Sequence, residues 1–153
     1  MPTPAVARTD MYSAVKTAWD AGAATSGKTL IYDNVTSDVP QAESGSTGDP
    51  DLWGAVRVEN NVSSVRSLRG DGGLRRFRRV GFLVLEVYTP AGNGLSSADA
   101  VVKVVLDGLE GQTTANGVYF RNAQVREEGV SGPWFLTVIT VDFEYDAVKL
   151  WLL

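Results

Sequence analysis

The sequence predicts an α+β fold: a mixed, mostly antiparallel β-sheet with two α-helices packed on one face, and with long loops or an extended hairpin. Three observations carry this. Two stretches, 11–20 and 96–110, place apolar residues at helical spacing, whereas the other apolar runs alternate or are dense in β-branched and aromatic residues. Successive strands are joined mainly by turns rather than helices, which favours antiparallel neighbours. No repeat of about 20–45 residues recurs, so a solenoid or propeller is excluded. The 153 residues form one domain, 1–153, with a flexible N-terminal arm at 1–8, a long loop at 34–50 and a C-terminal tail at 147–153.

Taken in order, two prolines mark the arm at 1–8 as lacking fixed structure. Thr9 or Asp10 then caps the first helix, because either side chain can accept from a free N–H of the first turn. Met11, Val15, Ala18 and Trp19 share its apolar face, and Gly22 ends it. Lys28 to Tyr32 reads as a short strand. From Asn34 to Pro50 the chain is rich in Ser, Gly, Pro and acid without apolar periodicity. It reads either as a flexible connection or as a contact loop that orders on a partner.

Leu52 to Glu59 alternates as a second strand, with Trp53, Ala55 and Arg57 on one face. Asn60-Asn61 suits a turn, and Val62 to Leu68 reads as a returning strand or an irregular arm. Leu74 to Thr89 is the longest extended run. Phe77, Leu83, Leu85 and Val87 share one face, and Val80, Phe82, Val84 and Tyr88 the other. Apolar on both faces beyond Val80, its second half predicts a central, covered strand. Its first half is basic on both sides and is expected to project towards solvent or a partner.

Ser96 or Ser97 caps the second helix, and Asp99 makes a weak relative of the capping box with Ser96. Ala98, Val101, Val102, Val105, Leu106 and Leu109 face the core, and Gly111 supplies a left-handed stop. Gly117 to Arg126 and Trp134 to Tyr145 are two further strands, joined through the turn chemistry of Glu127 to Pro133 as a hairpin. Lys149 to Leu153 is an apolar tail.

Composition narrows the chemistry. There is no cysteine and no histidine. Disulfides, Cys/His metal sites and His-dependent nucleophile pairs are therefore absent. No cofactor is expected. A net charge of −4 argues against a general nucleic-acid coat. The N-terminal segment has no apolar core of signal-peptide length, and no apolar run approaches a membrane span, so a protein made in the cytoplasm without a membrane partner is expected.

Arg75, Arg76, Arg78 and Arg79 form the sharpest charge cluster. Their guanidinium forks suit a partner's carboxylates or phosphate, and the bland alternative is a solvated strand end guarded against aggregation. Pro90-Ala91-Gly92-Asn93-Gly94 lacks the lysine and spacing of a P-loop and reads as a connection turn. Asp142 with Glu144, or Glu127 with Glu128, could in principle act as an acid/base pair, although an exposed strand face explains them as well. Trp19, Trp53 and Trp134 read as core or sheet anchors, and Trp151 in the apolar tail either as an interface anchor or as part of a tail folded onto its own domain.

Arg75-Arg76-Phe77-Arg78-Arg79-Val80-Gly81, with Val87-Tyr88-Thr89-Pro90 and Gly92-Asn93-Gly94-Leu95-Ser96 downstream, resembles the tail-terminator family of long-tailed bacteriophages and related prophages. Gly117-Val118-Tyr119-Phe120-Arg121-Asn122 and Val141-Asp142-Phe143-Glu144-Tyr145-Asp146 are also similar to that family. The resemblance runs from about the first helix to Asp146 and does not cover the 34–50 loop or the Leu150–Leu153 tail.

The resemblance implies a structural virion protein and not an enzyme. Such proteins form a ring, usually of six copies, at the head-proximal end of the tail tube. They stop tube growth and join the head connector, while DNA passes through the ring without sequence-specific binding. The partners implied are further copies of the chain, the tail tube protein and the head-tail connector or stopper. Within that reading the arginine run is expected to meet acidic residues of a neighbouring copy, drawn from Asp38, Glu43, Asp49 and Asp51. The alternatives are a head-completion, neck or other tail-joining protein, or a nucleic-acid-binding accessory protein.

Overall fold

The computed structural model describes residues 3–33, 52–65, 74–92 and 94–150. The elements run α1 (Pro4–Ala21), β1 (Thr29–Tyr32), β2 (Trp53–Val65), β3 (Leu74–Pro90), α2 (Ser96–Leu109), β4 (Tyr119–Ser131) and β5 (Trp134–Leu150). Among the described residues five strands form one sheet in the order β1-β2-β3-β5-β4. Of the described pairings, β1 with β2 is parallel and the other three are antiparallel. The α+β expectation therefore holds, with both helices on one face of a mixed sheet.

The core lies between that face and the helices. Ala7, Met11, Val15 and Trp19 recur every fourth residue along α1, and all are buried. They meet Val56 and Val58 of β2, Leu83, Leu85 and Val87 of β3, and Ile139, Val141 and Phe143 of β5. From α2 come Val101, Val105 and Leu109, with Val102 and Leu106 partly buried against the same cluster. Burial of each such aliphatic side chain contributes about 1.5–3 kcal/mol, which makes this cluster the main stabilising feature.

α1 begins nearly two turns earlier than its sequence suggests. Pro4 occupies the first turn, where its missing N–H costs nothing, and the Thr3 hydroxyl accepts from Val6 N at 3.2 Å. The flexible arm expected at 1–8 is thus largely helix, and neither Thr9 nor Asp10 is the cap. Gly22 ends α1 with extended backbone (φ −78°) instead of a left-handed turn. Its value lies in size: a Cβ there would sit 2.5 Å from the Val104 side chain. Gly108 is similar, since its Cβ would fall 2.4 Å from that of Ala18. Two glycines thus let α1 and α2 approach closely.

α2 starts at Ser96 behind Leu95, and no side chain caps it, so neither Ser96 nor Ser97 plays the expected role. Gly111 does adopt the left-handed conformation (φ 77°) that closes the element.

Strand boundaries depart from the sequence wherever turn-forming residues sit inside a ladder. Asn60-Asn61 is not a turn: β2 continues to Val65 through a bulge between Asn60 and Val62. Gly81 lies opposite, and a Cβ there would come within 2.2 Å of the Glu59 carbonyl oxygen. Likewise Glu127 to Ser131 belongs to β4, with Gly129 (φ 95°) at another bulge, and the hairpin turn is only Gly132-Pro133. β5 runs on to Leu150, paired with Leu74 to Phe77, so the tail expected from 147 is strand as far as Leu150.

Candidate assembly interface

β3 carries its four arginines on a stretch paired with β5 throughout, and from Phe77 onward with β2 as well. Phe77 to Val80 pair with Val62 to Val65 of β2 on one side and with Glu144 to Ala147 of β5 on the other. The first half of β3 therefore does not project as a free strand. Alternation directs Arg76 and Arg78 to the face without helices and Arg79 to the helix side. Arg75 pairs through its main chain with Lys149.

On the helix-free face the arginines meet acids of their own chain. Arg78 forms an ion pair with Glu144, and Arg121 of β4 reaches the same carboxylate oxygen at 3.3 Å. Arg76 lies 3.9 Å from Asp146. Alternation along β5 puts both acids on this face, opposite the basic half of β3. Asp38, Glu43, Asp49, Asp51 and Trp151 fall outside the described residues, as does the loop expected at 34–50. What the structure brings to Arg76 and Arg78 is Asp146 and Glu144, neither of which was a candidate partner in the sequence.

Arg79 is half-buried beside Tyr145, and its Nε has no hydrogen-bond partner among the described residues. Burial pushes the Tyr145 hydroxyl pKa up, and the nearby charges of Arg79 and Arg8 offset part of that rise.

The other end of the same face is aromatic. Trp53 stacks on Tyr88 with ring centroids 4.1 Å apart, and Trp134 meets Trp53 edge-on at 6.2 Å. Such pairs contribute about 0.5–1.5 kcal/mol beyond their buried area. Beside them Arg57 Nη1 reaches Glu86 Oε1 at 2.6 Å, and the Tyr88 hydroxyl donates to Glu86 Oε2 at 2.9 Å. Burial first, then the hydrogen bond to Glu86, pushes the Tyr88 pKa up to about 12. Trp19, Trp53 and Trp134 are all buried, as anchors should be.

A second polar device ties α1 to the segment after α2. Asp10 accepts from the Thr114 hydroxyl at 2.6 Å, from Asn116 Nδ2 at 2.7 Å and from Asn116 N at 3.2 Å. Desolvation raises the Asp10 pKa, but these three bonds outweigh it and hold the carboxyl below its usual range. Asp10 also lines a hollow of about 500 Å³ between α1 and this segment. In the sequence Asp10 suits a helix cap equally well, because a carboxylate near a helix start serves either role.

The two carboxylate pairs noted in the sequence are placed differently. Glu144 is engaged by two guanidinium groups, and Glu128 pairs with Arg126. Among the described residues no group of three or more Asp, Glu, His or Cys is placed to hold a metal ion. No described helix is long and apolar enough to cross a membrane. The Pro90–Gly94 segment is a connection from β3 to α2, with Gly92 and Gly94 at positive φ (88° and 75°).

No family model and no curated protein matches this sequence. Solved structures do share its fold. One, which carries no functional name, superposes over the whole of both chains with a TM-score of 0.64 and 13% identity. Another is a chain from the virion of a native gene transfer agent (GTA) particle, with a TM-score of 0.54 and 17% identity over 92% of this chain and 98% of that one. At these identities the likeness is one of fold.

Proposed function

We propose that this chain is a structural virion protein of the tail-terminator type. In this reading, copies form a ring, six in number, at the head-proximal end of a phage-like tail. The ring caps the tail tube, stops its growth and presents the surface that the head connector joins. The observation that carries the proposal is the fold shared, nearly end to end, with a chain of a gene transfer agent virion. The sequence resemblance at Arg75–Gly81 and Val141–Asp146 points the same way.

The charge arrangement supports a passive role towards DNA. Affinity for duplex DNA comes chiefly from cations that replace its counterions. Here Arg78 and Arg121 are matched by Glu144, and Arg76 lies beside Asp146. A ring presenting such a face lets DNA pass without holding it.

Light scattering of the purified protein and immunogold imaging of virions test the proposal together. The expected outcome is a mass of several copies and labelling at the upper end of the tail. A strictly monomeric protein absent from particles would sink it. Arg78 is engaged within the chain, so its charge reversal affects the fold first and is a poor first test of assembly.

A further inference from the structure

We propose that copies of this chain join edge to edge, with the outer side of β1 in one copy pairing antiparallel with the distal part of β4 in the next. This deepens the ring reading by naming the two patches of the head-to-tail contact, and it rests on that reading only for closure into a ring.

Among the described strands the sheet order leaves β1 and β4 as the two edges. The start of β4 is already covered. Gly111 N donates to Phe120 O at 3.0 Å, Phe120 N donates to Gln112 O at 2.9 Å, and the Glu110 carboxylate accepts from Ala123 N at 2.9 Å. Beyond Ala123 no further main-chain bond reaches the outer side of β4 among the described residues. Val125 is 43% exposed and Val130 69%, high values for valines on a strand. An uncovered edge of this kind is a template for another strand.

The main-chain groups of the two edges match in direction and face. Ala123 N points outward to Glu110, so alternation points the N–H and C=O of Val125 and Glu127 outward too. Across β4 and β5, Val125 lies opposite Ile139, which is in the core, so these outward-bonding residues belong to the helix side. At β1, Asp33 N donates inward to Val56 O, so Leu30 and Tyr32 direct their main-chain groups outward. They too lie on the helix side: Leu30 pairs with Gly54 above Trp19, and the Tyr32 ring packs 5.1 Å from that of Tyr12. The pairings also make β4 run opposite to β1. Antiparallel strands require opposed residues to share a face and to turn their bonding groups towards each other. These two edges satisfy both conditions.

Occupied groups then fix the register. Lys28 N is bonded to Thr25 O, Lys28 O accepts from Trp19 Nε1, and Ala123 N is held by Glu110. This leaves Leu30 and Tyr32 against Val125 and Glu127. Antiparallel pairing places Tyr32 opposite Val125 and Leu30 opposite Glu127, an arrangement with four main-chain hydrogen bonds. The Tyr32 ring then covers the exposed Val125 side chain. The bulge between Glu127 and Gly129 stops pairing at about the length of the four-residue β1. Because the patches lie on opposite edges, each copy keeps one of each free, and the contact repeats until rotation closes it.

The absence of cysteine makes a cross-linking test clean. Residues in a hydrogen-bonded antiparallel pair lie about 5.5 Å apart at Cα, within the span of a disulfide. The double variant Tyr32→Cys/Val125→Cys should give a ladder of covalent oligomers on a non-reducing gel under mild oxidation. Thr29→Cys/Val125→Cys, whose cysteines point to opposite faces, should not. Val125→Pro removes an outward N–H that β5 does not use, so it should keep the cooperative melt while reducing the mass to a monomer. Oligomers that persist in Val125→Pro and give no Tyr32/Val125 ladder would overturn the edge contact yet leave the ring reading standing. A ladder from a protein absent from virions would support the edge contact and remove the virion reading.

Discussion

Between Leu83 and Thr89, β3 buries alternate residues against the helices, whereas between Arg76 and Val80 the same strand carries guanidinium groups on both faces. Both halves are flanked by β2 and β5, and the pairing with β5 is continuous from Leu74 to Pro90. What differs is the source of register. In the apolar half, a slip of one residue would turn Leu83, Leu85 and Val87 out of the core. In the basic half, the same slip would separate Arg78 from Glu144 and Arg76 from Asp146. One strand is thus aligned by two unlike forces, with Gly81 at the junction.

The largest expected effect is at that junction. Gly81→Val forces a side chain against the Glu59 main chain and the Phe143 ring, at 2.2 and 2.7 Å from the Cβ alone. It should unfold the domain or cost more than about 3 kcal/mol in a denaturant titration, because the near contact is backbone and cannot rotate away. In the apolar half, Leu85→Ala should cost about 2–5 kcal/mol by the same measurement. A loss below about 1 kcal/mol there would mean the core is not where β3 gains its stability.

In the basic half, Glu144→Gln should cost about 1–2 kcal/mol, since the partners are partly exposed but two cations lose one acceptor. The deficit should shrink in high salt, which the Leu85→Ala deficit should not. The smallest effect is expected from Tyr88→Phe, about 0.5–1.5 kcal/mol at neutral pH for one hydrogen bond to Glu86. Its sign with pH is defined. The folded Tyr88 pKa lies near 12, above its ordinary value of 10. Its contribution is therefore complete below about pH 10 and is lost as pH rises towards 12. Tyr88→Phe should flatten that part of an alkaline stability profile.

This contrast also explains what could be read in the sequence. The apolar half of β3, both helix faces and the tryptophan anchors follow from periodicity, because burial needs only the residue and its neighbours in sequence. Helix ends and strand ends were less legible. Pro4, Asn60-Asn61 and Gly129 favour turns locally, yet each sits where the fold uses the same property, in a first helical turn or a bulge. The arginine cluster was found by composition, but its partners were not. Glu144 and Asp146 lie some 66 to 70 positions away in the chain and are brought opposite Arg78 and Arg76 only by strand order. The Asp10 clasp on Thr114 and Asn116 was hidden for the same reason.

The place of β5 between β3 and β4 has a consequence in time. β5 is the last of the described strands, yet it is the neighbour on which both β3 and β4 depend. β3 must wait some 60 residues for its longest pairing, and contacts so distant in sequence make folding slow. On a ribosome β1, β2 and β3 can pair with one another before β5 emerges, but one side of β3 stays open until then. The outer side of β4 acquires its shape only after β5 has been made and inserted. A chain interrupted before β5 therefore leaves β4 without the neighbour that aligns its outer side.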